Sequence, residues 1–170
     1  MNKHTVVTII AIIAIIIPFA YSGLNIYAAE QLEYRWVEPG KFSFFEMSNN
    51  RGIEICNTSP FPANFKNIDI ITFYQTENKG TYTIENFEIN GSESKMVQGK
   101  FSSENYVDSQ RLFMIMDFQF DGGDNRIDAR QLFVLVSIDT PIIGVIPYTV
   151  NVQYSGFDFD QLMNQESSNC

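Results

Sequence analysis

The 170-residue chain predicts an all-β fold, an antiparallel β-sandwich behind an apolar N-terminal segment, with one or two short helices. Three observations carry this. Residues 4–29 hold no formally charged side chain. Beyond Glu30, apolar and polar residues alternate with the period of two that marks half-buried strands. Turn-forming pairs and triplets break that alternation at the short intervals of a sandwich.

The N-terminal segment is densest over residues 6–20, VVTIIAIIAIIIPFA. A helix needs about 20 apolar residues to cross a bilayer, whereas about 10 to 14 suit the apolar region of a signal peptide. The uncharged window fits the first and the dense centre the second. Its isoleucines fall on every side of a helix, which separates it from an amphipathic core helix. Pro18 is expected to kink or end that helix. Ala20-Tyr21-Ser22 places small residues where a signal peptidase reads them, ahead of Gly23. Two readings follow: an uncleaved single-span anchor in the cell membrane, using residues 5–29, or a cleaved signal. A short tail carrying Lys3 ahead of the segment puts residues 30–170 outside the cytoplasm. The organisation is then a signal or transmembrane anchor over 1–29, an extracytoplasmic domain over 30–163, and a polar tail over 164–170.

Strands are expected in order over residues 32–37, 42–47 and 52–56. Residues 66–75 alternate with Ile68, Ile70, Thr72 and Tyr74 inward. Weaker strands cover 81–89 and 95–101. Residues 111–120, RLFMIMDFQF, put Leu112, Met114, Met116, Phe118 and Phe120 on one face of a strand. Residues 131–139 do the same with Leu132, Val134, Val136 and Ile138, and residues 145–154 with Ile146, Tyr148, Val150, Val152 and Tyr154. Turns are expected at Pro39-Gly40, Asn49-Asn50, Asn78-Lys79-Gly80, Asn90-Gly91 and Asp121-Gly122-Gly123. Asn90-Gly91 has the chemistry of a type I′ hairpin, since both residues tolerate positive φ. Short helices fit residues 104–110 behind a Ser103 cap and residues 158–164 after Gly156.

Residues 53–101 carry a more particular pattern. A strand ends in Cys56-Asn57, two prolines follow at Pro60 and Pro62 around Phe61, and an alternating strand begins. This resembles the group 2 late embryogenesis abundant proteins and their water-stress (WHy) domain, marked by an apolar strand ending in Asn-Pro before the next strand. Here Thr58 and Ser59 separate Asn57 from Pro60. Residues 141–150, PIIGVIPYTV, are similar to that family's last strand pair, with Gly144 at the turn. The resemblance implies an immunoglobulin-like or fibronectin-like sandwich, no catalytic residues, and a stress-protective or interaction role. The Ile-rich segment and Asn-rich domain also look like small anchored archaeal ectodomain proteins. From the residues alone, Asn57, Pro60 and Pro62 make a stiff crossover, because Asn bonds its own backbone and Pro lacks a donor.

Composition excludes much chemistry. Eleven basic residues against 20 acidic ones leave a net charge of -9, so no nucleic-acid partner is expected. The one histidine is His4, ahead of the domain, which rules out His-assisted nucleophilic triads and histidine metal sites within it. Phosphate-binding glycine loops and nucleophile elbows are missing from the sequence. No cofactor is expected. A pair of carboxylates is the one catalytic arrangement left, as in glycoside hydrolysis. The candidate calcium ligands are Asp121, Asp124, Asn125 and Asp128 in DGGDNRID, oxygen donors on a glycine-rich loop with Asp117 just before. The same residues also suit a solvated turn. Cys56 and Cys170 can pair in an oxidising compartment and hold the tail. Asn57-Thr58-Ser59 and Asn90-Gly91-Ser92 are glycosylation sequons at Asn57 and Asn90. Trp36 with Phe42, Phe44 and Phe45 forms either an aromatic binding patch or core.

These readings converge on a membrane-anchored, non-catalytic extracytoplasmic binding domain, with an envelope protein as partner or a protective role. The alternative is a carbohydrate-binding or carboxylate-based carbohydrate-processing module.

Overall fold

The computed structural model describes residues 3–38, 40–123, 127–166 and 169–170. Helix α1, Lys3–Glu30, opens the chain and is long and apolar enough to cross a membrane. It runs on through Pro18 without ending there. The Ser22 hydroxyl donates to the Pro18 carbonyl at 2.9 Å, the back-bond that a helical serine makes to the carbonyl four residues before it. Outer residues up to Tyr21 are exposed or half-exposed, whereas Ser22, Asn25, Ala28 and Ala29 are buried against the domain.

Among the described residues, eight strands form two antiparallel sheets. The smaller sheet holds β1 (Leu32–Trp36), β2 (Ile53–Asn57) and β5 (Glu93–Val97) in the order β1-β2-β5. The larger holds β3 (Ala63–Tyr74), β4 (Glu77–Ile89), β6 (Lys100–Ser102), β7 (Leu132–Asp139) and β8 (Thr149–Ser155) in the order β6-β4-β3-β7-β8. β3 and β7 pair in register with Ile68 opposite Ile138 and Ile70 opposite Val136. All four side chains are buried, as the period of two requires. One core joins the sheets, with Tyr34, Trp36, Ile53 and Ile55 from the smaller and Phe65, Ile68, Tyr82 and Val134 from the larger.

The all-β expectation fails between the strands. Residues 111–120 are not a strand. They lie in helix α3, Tyr106–Phe120, which also absorbs the short helix expected over 104–110. The buried residues of α3 are Ser109, Phe113 and Met116, a helical spacing that the alternate apolar positions masked. Residues 42–47 are likewise not a strand. Ser43 caps helix α2, Phe44–Ser48, by accepting from the Glu46 N–H at 3.0 Å. The expected C-terminal helix is present as α4, Gly156–Met163, which buries Phe159 and Met163.

Two turn readings and two strand readings are corrected as well. The β3–β4 hairpin turns at Gln75 and Thr76, both at positive φ, and Asn78-Lys79-Gly80 sits inside β4. Asn90-Gly91 is no type I′ hairpin but the crossover from the larger sheet to the smaller. Its left-handed residue is Ser92, and Gly91 is needed for space, because a Cβ there would meet the Pro60 carbonyl at 2.3 Å. Residues 95–101 divide into β5 and β6, one in each sheet. Residues 142–146 form a tight turn, and β8 begins only at Thr149. Of the Pro39-Gly40 pair, Pro39 lies outside the described residues.

Candidate functional site

Cys56 and Cys170 form a disulfide, with Cα atoms 5.9 Å apart and a sequence separation of 114. Cys56 is buried in β2, the central strand of the smaller sheet. The tail it captures is further held where the Asn169 N–H donates to Glu33 at 3.1 Å and Arg35 donates to the Glu166 carbonyl at 3.0 Å.

Asn57 is buried rather than on a surface turn. Its side-chain amide donates to the Phe61 carbonyl at 2.8 Å and the Asn90 carbonyl at 3.0 Å, and its oxygen accepts from the Ser59 N–H. A glycan on that nitrogen would replace one of its two N–H groups and break a donated bond in a buried site, so Asn57 serves as the clasp of the crossover between sheets. Asn90 is exposed. Of the candidate calcium ligands, Asp124 and Asn125 lie outside the described residues. Asp128 caps a short 3-10 turn, Ala129–Gln131, by accepting from the Arg130 N–H, and Asp121 closes α3. Among the described residues, no group of three or more His, Cys, Asp and Glu is placed to hold a metal ion.

Trp36, Phe42 and Phe44 are core. Trp36 is 2% exposed and meets Phe42 edge-on at 5.2 Å, and Phe42 in turn meets Phe44 at 4.8 Å. A carbohydrate has no access to that ring.

The acidic groups that matter were not singled out by spacing. Asp117 on α3 accepts from the Ser43 hydroxyl at 2.7 Å, the Phe44 N–H at 2.8 Å and the Phe45 N–H at 3.0 Å. It thus holds the first turn of α2. The Ser43-x-x-Glu46 pattern, a known helix-start signal, was the one hint in the sequence that a helix began there. Burial pushes the Asp117 carboxyl above its usual range, against its bonds to Ser43, Phe45 and Phe44 and with Asp121 adding to the rise. Burial also pushes Asp160 on α4 up to about 6; Asn164 pulls it down, while Asp117 and Asp121 push it further up.

A carboxyl whose folded pKa exceeds its unfolded value keeps its proton longer in the folded state. The stability it contributes is full below the unfolded pKa of 3.8 and is lost as pH rises through about 6. Asp160→Asn is therefore expected to flatten the fall in stability over that window. At neutral pH it should raise stability by about 1 kcal/mol, a modest figure because solvent screens a half-buried group. Urea unfolding midpoints measured across the window in both proteins check this, and an unchanged slope would count against it.

What the domain leaves open is apolar surface. On the outer side of α3, Val107, Met114 and Phe118 are exposed, with Val107 at 73%, and the exposed Phe157 ring of α4 lies 5.3 Å from Phe120. Positions 107, 114 and 118 share one helix face. β8 forms the edge of the larger sheet and is mostly exposed along its length. Compared with protein-family models and with curated proteins, the chain matches none.

Proposed function

We propose that this chain is a membrane-anchored extracytoplasmic domain that works by binding another envelope protein, without catalysis of its own. The observation that carries the reading is the exposed apolar face of Val107, Met114 and Phe118 on α3. Apolar side chains grouped on one rigid helix face are a usual mark of a protein contact, whereas single exposed ones need no explanation. The uncharged edge of β8 adds an open strand to which a partner segment can pair.

Retention of the N-terminal helix as an anchor is supported by its docking. The Ile143 N–H donates to Ser22 Oγ at 2.7 Å, and the Asn64 N–H donates to Asn25 Oδ1 at 3.2 Å. Cleavage after Ser22 would cut the helix inside this docked turn. The disulfide fits an oxidising compartment outside the cytoplasm.

The immunoglobulin-like reading is supported by strand order. The order β1-β2-β5 follows the A-B-E side of such a sandwich, and β4-β3-β7-β8 follows the C′-C-F-G side. The Asn57 clasp, placed where the chain crosses from β2 to β3, stands at the position of the Asn-Pro mark that carries the resemblance to the water-stress domain.

A photo-cross-linking residue at Met114 of the full-length protein, in its native membrane, tests the reading. One discrete adduct is expected from Met114, none from the same probe at exposed Lys100, and none from Met114 once Phe118 is replaced by Asp. Equal, diffuse labelling at both positions would remove the proposal.

A further inference from the structure

The turn between β7 and β8 touches the anchor helix at the level where a membrane would end. At about 1.5 Å per residue, a helix entering beside Lys3 crosses a hydrocarbon layer of about 30 Å in roughly 20 residues. That puts the outer boundary near Ser22. The residue bonded to Ser22 is Ile143, at the tip of the turn. The tip therefore lies beside the outer leaflet whenever α1 spans the bilayer.

Its composition suits that position. No formal charge occurs between Asp139 and Asp158. Ile143, Val145, Ile146 and Tyr148 are all exposed, Val145 at 75%. Tyr21 of the helix and Tyr148 of the turn are aromatic rings of the kind that settle at headgroup level. Asn64, Lys66 and Asn86 line one cleft with Tyr21, Ile143 and Gly144, so polar groups suited to lipid headgroups sit directly beside the apolar tip.

The tip is also rigid and strained. The Ile142 N–H donates to the Ile146 carbonyl at 2.8 Å, and the Ile146 N–H returns to Ile142 at 3.0 Å. Between them Ile143 is held at φ 49° and Gly144 at φ 75°. A β-branched residue in the left-handed region is a costly choice where Asn or Gly would serve the turn. An apolar side chain at that place gains what the backbone loses only if water is excluded from it.

We propose that the Ile143–Gly144–Val145–Ile146 tip inserts into the outer leaflet beside α1, as a second membrane contact that fixes the domain's tilt on the bilayer. The occupant of this surface is lipid at the boundary of headgroups and acyl chains. A shallow insertion of about 5–10 Å is what a short apolar element achieves there. The inference rests on the anchor reading above.

Added tryptophans separate the two. The full-length protein carries only Trp36, which is buried, so added tryptophans report their own surroundings. Val145→Trp, Ile12→Trp in the anchor and Glu77→Trp at the far end of the larger sheet are reconstituted into phosphatidylcholine vesicles brominated near the top of the acyl chains. Val145→Trp is expected to be strongly quenched, because its depth matches the bromines, Ile12→Trp at the bilayer centre to be quenched more weakly but measurably, and Glu77→Trp to be unaffected. Quenching of Ile12→Trp with Val145→Trp as bright as Glu77→Trp would overturn the inserted tip, leave the anchor standing, and give the tip to a protein partner. Quenching at neither position would remove the anchor and the tip together.

Discussion

Cys170→Ser is expected to lower the stability of the folded domain by about 3 kcal/mol, within the range of about 2 to 5 that loss of a native disulfide costs small exported domains. The reason lies in the unfolded chain. The bridge closes a loop between residues 114 apart in sequence. In the chain-entropy model a loop of about 100 residues removes about 4.7 kcal/mol of disorder from the unfolded state, and measured values usually fall short of that ceiling. The loop takes in β3, β4, β6, β7 and β8, so the whole larger sheet lies within the restraint.

The folded state loses something too. Without the bridge the tail keeps the Asn169–Glu33 and Arg35–Glu166 bonds, both exposed. Exposed bonds of this kind contribute little by themselves. The tail should then detach. Urea unfolding of the full-length protein in detergent, followed by Trp36 emission, measures the effect. Reductant added to the unaltered protein should reproduce the shift, and reductant added to Cys170→Ser should do nothing. A midpoint unmoved by the substitution would show that the bridge constrains nothing the fold does not already constrain.

Strands with a single buried face were legible in the sequence. β3 and β7 could be read residue by residue, because Ile68, Ile70, Val134 and Val136 alternate with polar or half-exposed neighbours. α3 could not, for a physical reason. RLFMIMDFQF is apolar at nearly every position, so it satisfies a period of two and a period of 3.6 alike. Two signals favoured the helix: Leu, Met, Gln and Arg are good helix formers, and Ser109, Phe113 and Met116 keep helical spacing when the window starts earlier. The hairpin tip was displaced because Asn78-Lys79-Gly80 carries the stronger turn chemistry. Gly80 answers a different demand, since a Cβ there would strike the Phe101 ring at 2.0 Å. The disulfide needed only two cysteines and a compartment. Asp117 was beyond reach, because its three donors lie more than 70 residues away in sequence.

That carboxylate gives the other large expected effect. Two opposed contributions meet in Asp117→Ala. Removing a buried acid whose ionisation is disfavoured, beside Asp121, relieves a cost. Removing the acceptor of the Ser43 hydroxyl and the Phe44 and Phe45 N–H groups incurs one. The first is a fraction of a charge interaction in a partly solvated corner, of order 1 kcal/mol. The second strands up to three donors at about 1–3 kcal/mol each, less whatever water recovers by entering the space left. The second wins, and a net loss of about 2–4 kcal/mol is expected. Asp117→Asn should sit between the two proteins, since its carbonyl can still accept while its amide faces donors. The site of the damage is readable directly. Phe44 and Met47 of α2 are fully buried, and Phe42 stacks edge-on against Trp36. A loosened α2 should therefore red-shift Trp36 emission in Asp117→Ala before global unfolding, and leave it unmoved in Asp160→Asn. Equal stability of Asp117→Ala and the unaltered protein would mean that α2 holds its place through Phe44 and Met47 alone, with the carboxylate a passenger.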